Sequence, residues 1–443
     1  MALPPKWYQF LVPSLIDAFQ ADATERGAVT SVFTGGAFFG AYFAGPLGDH
    51  AGRKWTIFVR ALIFILGGYN LSYLYAGRSI AGLGVGILVM IVPIYQAELA
   101  HPDIRGCITS LQQLMLGVGS LAAALISWGT YINFADDDSR QWRISLGIQI
   151  VPAVFLAALI LLPPDPMPWV QAEYEQITAS IAHENEAAAK SYTELFTDPS
   201  CFRRLFLACS IQAAAQMTGV SAIQYYSTTI FEQIGIAADD TLKYQGISSI
   251  LAIIAQFCCL MLIDKTGRRW PQILGISSTI IPTILIAKFP PGESHNNSAS
   301  WAFIVMTWCY NFSYSATIGP LTWIICAEIF DTKTRSKGVS IATITSFAFN
   351  TMIGHVTDIA ISNIGGWRYY IPFCICNFTN AIFFWLILPE TALRPLEEMN
   401  ALVKHEPWVV PGTQTKNFVS RSKAVVAEDE EKPGHFTLVH VEK

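Results

Sequence analysis

Charged side chains are scarce in this chain, and those that border apolar stretches recur in two spacings. Asp49 stands four residues before Arg53, and Asp264 four before Arg268; Glu98 stands seven before Arg105, and Glu328 seven before Arg335. A carboxylate and a guanidinium one or two helical turns apart, or brought together from neighbouring helix ends, form charge-assisted hydrogen bonds. Such pairs hold two elements together and let go when the elements separate. No Ser/His/Asp set, metal-ligand spacing or phosphate-binding loop accompanies them. The chemistry indicated is therefore a reversible latch rather than bond making. One other protonatable pair stands out: His355 and Asp358, one helical turn apart, with histidine titrating in the physiological range.

The elements that must position these residues are membrane helices. Of 443 residues, 52% are hydrophobic and only 14% charged, too few charges to clothe a soluble globule of this size. A span needs roughly 17–25 apolar residues to cross ~30 Å of hydrocarbon. Stretches of that kind run over 28–47, 55–74, 79–97, 111–131, 144–162, 205–231, 247–263, 273–287, 301–330, 339–361 and 370–388. Within the third, small residues at every second position, Gly82, Gly84 and Gly86, let neighbouring helices approach closely. The nine cysteines lie mostly inside apolar runs, as at Cys258–Cys259, Cys309 and Cys374–Cys376, and read as packing residues. No metal or cofactor is indicated, and no nucleic-acid partner.

Charges sort by loop. Arg53/Lys54, Arg105, Arg203/Arg204, Lys265/Arg268/Arg269 and Lys333/Arg335/Lys337 fall on one side, whereas Asp136–Asp138 and Asp239/Asp240 fall on the other. The positive-inside rule places the first set in the cytoplasm. Between the fifth and sixth spans, Val170, Tyr174, Ile177 and Ile181 recur at helical spacing among charges, which predicts an amphipathic helix on the membrane face. The chain also repeats itself. Gly48-Asp49-His50-Ala51-Gly52-Arg53-Lys54 is echoed by Asp264-Lys265-Thr266-Gly267-Arg268-Arg269, and Ala97-Glu98 with Arg105 by Ala327-Glu328 with Arg335. Parallel repeats of this kind build two like halves around a midplane cavity.

Taken together, the segments are an N-terminal stretch 1–27, a helical bundle 28–162, a linker 163–204, a second bundle 205–399 and a polar tail 400–443 expected to be disordered and cytoplasmic. The motifs run in a recognisable order: Gly-Asp-x-x-Gly-Arg-Lys; Arg78 and Gly82 before Pro93, Tyr95, Glu98 and Arg105-Gly106; Gly319-Pro320, Trp323, Glu328 and Arg335; then Pro389-Glu390-Thr391 before Leu396-Glu397-Glu398-Met399. From about Ala28 to Met399 the chain resembles the sugar porter family of the major facilitator superfamily, particularly its fungal members. The resemblance implies an all-α membrane protein with two pseudo-symmetric helical bundles around a central cavity. It further implies a multi-pass carrier, expected in the plasma membrane, that moves a hexose, pentose or related polyol by alternating access, not an enzyme. The charges at Asp49, Arg53, Glu98, Arg105, Asp264, Arg268, Glu328 and Arg335 then become a cytoplasmic gate.

A sugar carries many donors and acceptors and no charge, so it calls for neutral amides and an aromatic face. Gln113, Gln216, Trp323 and Asn350 match positions that contact sugar in the family; Ser221, Tyr225 and Tyr226 follow Gln216 at the family's spacing. The chain departs from the family where its paired glutamine reads Ala215–Gln216, where its next asparagine is Ser221, and where Ser346 and Phe347 precede Asn350. The motif after the sixth span is reduced to Pro164-Asp165-Pro166-Met167-Pro168, and the family's first span with its Gly-Tyr-Asp signature is missing. That leaves eleven of the usual twelve spans and predicts that the chain as it stands carries cargo poorly. Besides the sugar, the partners expected are the lipid bilayer and, as a candidate, protons. Two other functions fit the same motifs: a carrier for quinate or another small organic solute, and a sugar sensor that signals without transporting.

Overall fold

In hydrocarbon every backbone N–H and C=O must find its partner within its own segment, which forces each long apolar window into a helix. The computed structural model describes residues 31–43, 74–99, 105–134, 144, 147–148, 150–161, 192–225, 238–288, 297–330, 334–364, 368–391 and 408–409. Among the described residues, regular structure is entirely helical. In chain order we label 31–43 α1, Leu74–Leu99 α2, Arg105–Asn133 α3, Ile150–Leu161 α4, Glu194–Thr197 α5 and Pro199–Met217 α6. There follow Val220–Tyr225 as α7, Ala238–Thr266 as α8, Arg269–Lys288 as α9, Asn297–Ala316 as α10 and Ile318–Ile329 as α11. Arg335–Ile364 is α12 and, after a 3-10 turn at Arg368–Tyr370, Ile371–Ile387 is α13. Five stretches of these helices are long and apolar enough to cross a membrane: Ser79–Gln96, Gly106–Asn133, Lys243–Thr266, Arg335–Thr357 and Arg368–Ile387. The predicted second span up to residue 73, the amphipathic linker helix and the residues before Ala28, where a first span was expected to be lacking, all lie outside the described residues.

Two boundaries differ from those the hydropathy pattern predicts. The helix that carries the sixth predicted span begins before Leu205: α6 starts at Pro199, with Asp198 as its cap accepting from the N–H of Ser200 at 3.0 Å. Asp-Pro is a strong start signal because proline at the first helical position forfeits no hydrogen bond. Arg203 and Arg204, expected at a loop, are consequently buried within α6. The apolar stretch 301–330 is likewise two helices. Thr317 leaves helical geometry at φ −135°, and α11 restarts at Ile318. Gly319-Pro320 therefore falls in the first turn of α11, where backbone N–H groups have no partner within the helix and proline is tolerated.

Small residues set the closest approach. At Gly82 and Gly86 of α2 a Cβ would run into the backbone carbonyls of Phe33 and Ala37 on α1, which is the close packing that stands in for hydrophobic drive in lipid. The two halves meet along α3 and α8, which pack lengthwise, and through α2 and α12. A common core crosses between them: Met90, Ile91 and Ile94 of α2 pack with Leu207 of α6, Phe330 after α11 and Val339 of α12. Outward-facing Phe257, Met261, Ile281 and Phe378 are exposed, as lipid-facing apolar side chains should be.

Candidate functional site

The last turn of α6 ends on Met217, and Gly219, at φ +92°, turns the chain before α7 begins. A side chain is disfavoured in that left-handed conformation, so glycine suits the position. The carbonyl of Thr218, freed by the break, accepts from the buried Tyr310 hydroxyl at 2.8 Å and from Asn377 Nδ2 at 3.4 Å. The turn brings Gln216 and Ser221 together. Ser221 Oγ donates to Gln216 Oε1 at 2.7 Å, and Asn350 Nδ2 on α12 reaches Gln216 Oε1 at 3.1 Å and Ser221 Oγ at 3.0 Å. Gln216 Nε2 in turn donates to Ser346 Oγ at 3.1 Å. Four neutral polar side chains thus form a continuous cluster that presents donors and acceptors but no charge.

This cluster lines a cavity of about 380 Å³ bounded by both halves. Gln113 of α3 and Trp323 of α11 reach the same cavity, as does Thr34 of α1, whose hydroxyl accepts from Thr351 of α12 at 2.9 Å. The volume falls within the range usual for small-molecule pockets. Its described lining contains no acidic, basic or imidazole side chain. Four further glutamines, Gln96, Gln112, Gln224 and Gln256, line it too. The sequence signal for them was the same as for Gln113, an amide inside an apolar span, yet only helix rotation decides which such amides face inward. Of the other expected site residues, Tyr225 closes α7 and Tyr226 lies outside the described residues. His355 on α12 is exposed.

At the charged end of the helices, Gly267 at φ +80° turns the chain from α8 into α9. Arg268 follows it, buried. Its Nη2 binds Asp264 Oδ1 at 2.9 Å and Glu328 Oε1 at 3.1 Å, and its Nη1 donates to the Ile263 carbonyl at 3.0 Å. Burial opposes the charge on Arg268, but Glu328 and Asp264 outweigh it and hold the guanidinium pKa above its ordinary value. Thr391 Oγ1 donates to the second oxygen of Glu328 at 2.9 Å, and Glu390 accepts from the backbone N–H groups of Arg268 and Arg269 at 2.8 and 3.2 Å. The Pro-Glu-Thr motif is therefore part of the same ion network.

Among the described residues, a backbone contact ties the network to the other half. Asp264 Oδ2 accepts from the N–H of Cys107 at 2.9 Å, in the first turn of α3. Free N–H groups and the helix dipole make such a terminus attractive to a carboxylate. A second crossing lies between α12 and α1, where Ser340 Oγ donates to the Ala41 carbonyl at 2.8 Å. The structure thus brings Asp264, Arg268 and Glu328 together. Arg335, also buried, directs its Nη2 to the Phe330 carbonyl at 3.5 Å. Glu98 stands in the last turn of α2 and Arg105 opens α3; Asp49 and Arg53 lie outside the described residues.

Comparison with known proteins bears on both family and fold. A family model described as "Sugar (and other) transporter" matches residues 2–403. Three curated relatives are similar over most of their lengths. The "MFS-type transporter criB" of Aspergillus cristatus is 28% identical over 93% of this chain and 91% of its own. The "Probable glucose transporter rco-3" of Neurospora crassa is 29% identical over 86% of this chain and 71% of its own. A "Probable quinate permease" of Aspergillus flavus is 29% identical over 92% and 83%. Among solved structures, the major facilitator proton:xylose symporter XylE bound to 6-bromo-6-deoxy-D-glucose matches with a TM-score of 0.77, covering 90% of this chain and 95% of that one at 20% identity. The fold is that of the major facilitator superfamily.

Proposed function

We propose, since this chain belongs to the family of sugar and other transporters, that it carries a neutral polyhydroxylated solute, a hexose, pentose or related polyol, across a membrane by alternating access. The observation that supports this most is the cavity lining, which offers amides, hydroxyls and Trp323 but no charged side chain among the described residues. A buried cavity without a cation is a poor host for a carboxylate, because a desolvated charge needs a partner. That argues for a sugar over quinate, although a relative described as a quinate permease is as similar as one described as a glucose transporter.

In this reading Gln113, Gln216, Ser221, Tyr225, Tyr226, Trp323 and Asn350 form the cargo site between bundles 28–162 and 205–399. Asp264, Arg268, Glu328 and Arg335, with Asp49, Arg53, Glu98 and Arg105 of the first half, close its cytoplasmic side. The plasma membrane is the expected site of action, with the C-terminus in the cytoplasm. If protons drive the cycle, His355 and Asp358 are the pair to examine.

Uptake of labelled D-glucose, D-xylose and quinate by cells that lack their own carriers tests this directly. Saturable sugar uptake that unlabelled sugars compete and quinate does not is the expected outcome. Uptake of quinate alone, or surface-delivered protein that takes up neither sugar, overturns the proposal.

A further inference from the structure

The polar groups of the cavity fall into two kinds. Gln216, Ser221 and Asn350 direct hydrogen bonds to one another and to Ser346. The carbonyl oxygens of Gln96, Gln112 and Gln256 are instead buried with no hydrogen-bond partner among the described residues, although all three side chains line the same cavity. Buried amide oxygens without partners are rare in folded proteins, because each gives up its hydration for nothing in return.

Gln256 is the sharpest case. It is only 8% exposed, and its Oε1 rests against Gly117 of α3, where a Cβ would collide with it. The glycine leaves room for the glutamine without offering it a hydrogen bond. Gln256 precedes Asp264 by two helical turns, about 12 Å along the axis at ~1.5 Å per residue, which sets it near mid-depth in a ~30 Å hydrocarbon layer. Carriers of this build hold their cargo at that depth. Gln112 stands on α3, the helix packed lengthwise against α8. The terminal torsion of a glutamine is broad and roughly two-fold, so either end of the Gln256 amide can turn to the cavity without leaving a rotamer.

We infer that Gln256 is a specificity-determining residue that hydrogen-bonds a cargo hydroxyl, so that the α3–α8 wall recognises the sugar as well as the wall formed by Gln216, Ser221 and Asn350. The inference rests on the reading that the cavity takes a polyhydroxylated solute. Gln113 of α3 was expected at the site from its family position, whereas neither the motifs nor the repeats assign a role to Gln256 of α8. It also fits the departures from the family pattern, since Ala215 and Ser221 remove polar reach from the α6–α7 wall and Gln256 restores it from another helix.

The test is competition of labelled D-glucose uptake by the 2-, 3-, 4- and 6-deoxy-D-glucoses in wild type, Gln256→Leu and Gln256→Asn, normalised to surface protein measured by biotinylation. A neutral hydrogen bond is worth about tenfold in affinity at its upper range. Gln256→Leu should raise the KM for glucose about tenfold, with a small change in maximal rate. One deoxy sugar, weaker than glucose by a similar factor in wild type, should lose nothing further in the variant, the non-additivity expected when both changes remove one bond. Gln256→Asn keeps the amide but withdraws it by one methylene, so it should show the same selective pattern even if Gln256→Leu is poorly delivered. An unchanged KM, or a parallel loss for glucose and every deoxy analogue, overturns the inference while leaving the carrier reading intact. Surface-delivered wild type that takes up no sugar overturns both.

Discussion

Asp264 joins the two halves: its Oδ2 accepts from the backbone N–H of Cys107 at 2.9 Å while its Oδ1 binds Arg268 at 2.9 Å. One carboxylate thus caps a helix of the first half and anchors an arginine of the second. Gly106 is part of the device, because a Cβ there would collide with Asp264 and Arg268. Separation of the halves at this end must break the Cys107 contact, whereas the pair with Arg268 stays within its own half and survives.

Removing the carboxylate should favour the open state at this end. A hydrogen bond to a charged group contributes about 1.5–3 kcal/mol. In a variant that keeps Cys107 as its only cysteine, Asp264→Ala is expected to speed maleimide labelling of Cys107 about tenfold or more. Equal labelling rates with and without Asp264 would remove this contact from the account.

Arg268 and Glu328 should matter more for stability than for gating. With side chains 1% and 6% exposed, deleting Arg268 leaves Glu328 buried without its counter-charge, a loss of about 3–5 kcal/mol. Arg268→Leu is expected to lower the thermal unfolding midpoint of the purified protein, and Arg268→Leu with Glu328→Gln should recover part of the fall. A double variant no better than the single would show that the two side chains do not act as a pair.

Trp323 lines the cavity together with Phe33, Tyr314 and Phe347. An aromatic contact contributes about 0.5–1.5 kcal/mol beyond its buried area, so Trp323→Ala should raise the KM for sugar roughly tenfold with surface delivery unchanged. Trp323→Phe should fall between. An unaltered KM in the alanine variant would place the ring outside the site.

The described lining holds no group that titrates near neutrality, and His355 is exposed on α12. Uptake is therefore expected to be flat between about pH 5 and 8, the range in which a histidine changes charge. A rise toward the acid end that His355→Gln abolishes would assign proton coupling to that side chain and contradict the expectation.

Much of the charged network was legible in the sequence, because in a chain with so few charges each Asp–Arg or Glu–Arg spacing is conspicuous. Asp264, Arg268 and Glu328 stood out for that reason, and the structure joins them. What spacing could not reveal was the partner of Asp264 across the halves, since a main-chain N–H at Cys107 leaves no trace in residue type. The Glu390–Thr391 pair was visible as a motif, but its role as cap of α9 and donor to Glu328 depends on how the chain returns after α13. Gln216, Ser221 and Asn350, marked by family spacing, line the cavity, as do Gln256, Gln112 and Gln96, which were passed over. An amide in an apolar helix can face lipid, a neighbour or a cavity, and the rotation that decides is set by packing such as Gly117 against Gln256. The start of α6 was missed for a simpler reason: hydropathy windows begin at the first apolar run, while Asp198-Pro199 begins the helix a turn and a half earlier.

The most direct measurement is equilibrium binding of labelled D-glucose and D-xylose to the purified protein in lipid nanodiscs, comparing wild type with Asn350→Leu. Asn350 donates to both Gln216 and Ser221, so its loss disorders the neutral cluster without touching the ion network. Saturable binding by wild type, displaced by unlabelled sugar, insensitive to quinate and weakened about tenfold or more in Asn350→Leu, is the result expected of a neutral polyol site between the two halves. Binding that is absent in wild type, that quinate displaces as readily as sugar, or that Asn350→Leu leaves unchanged would contradict it.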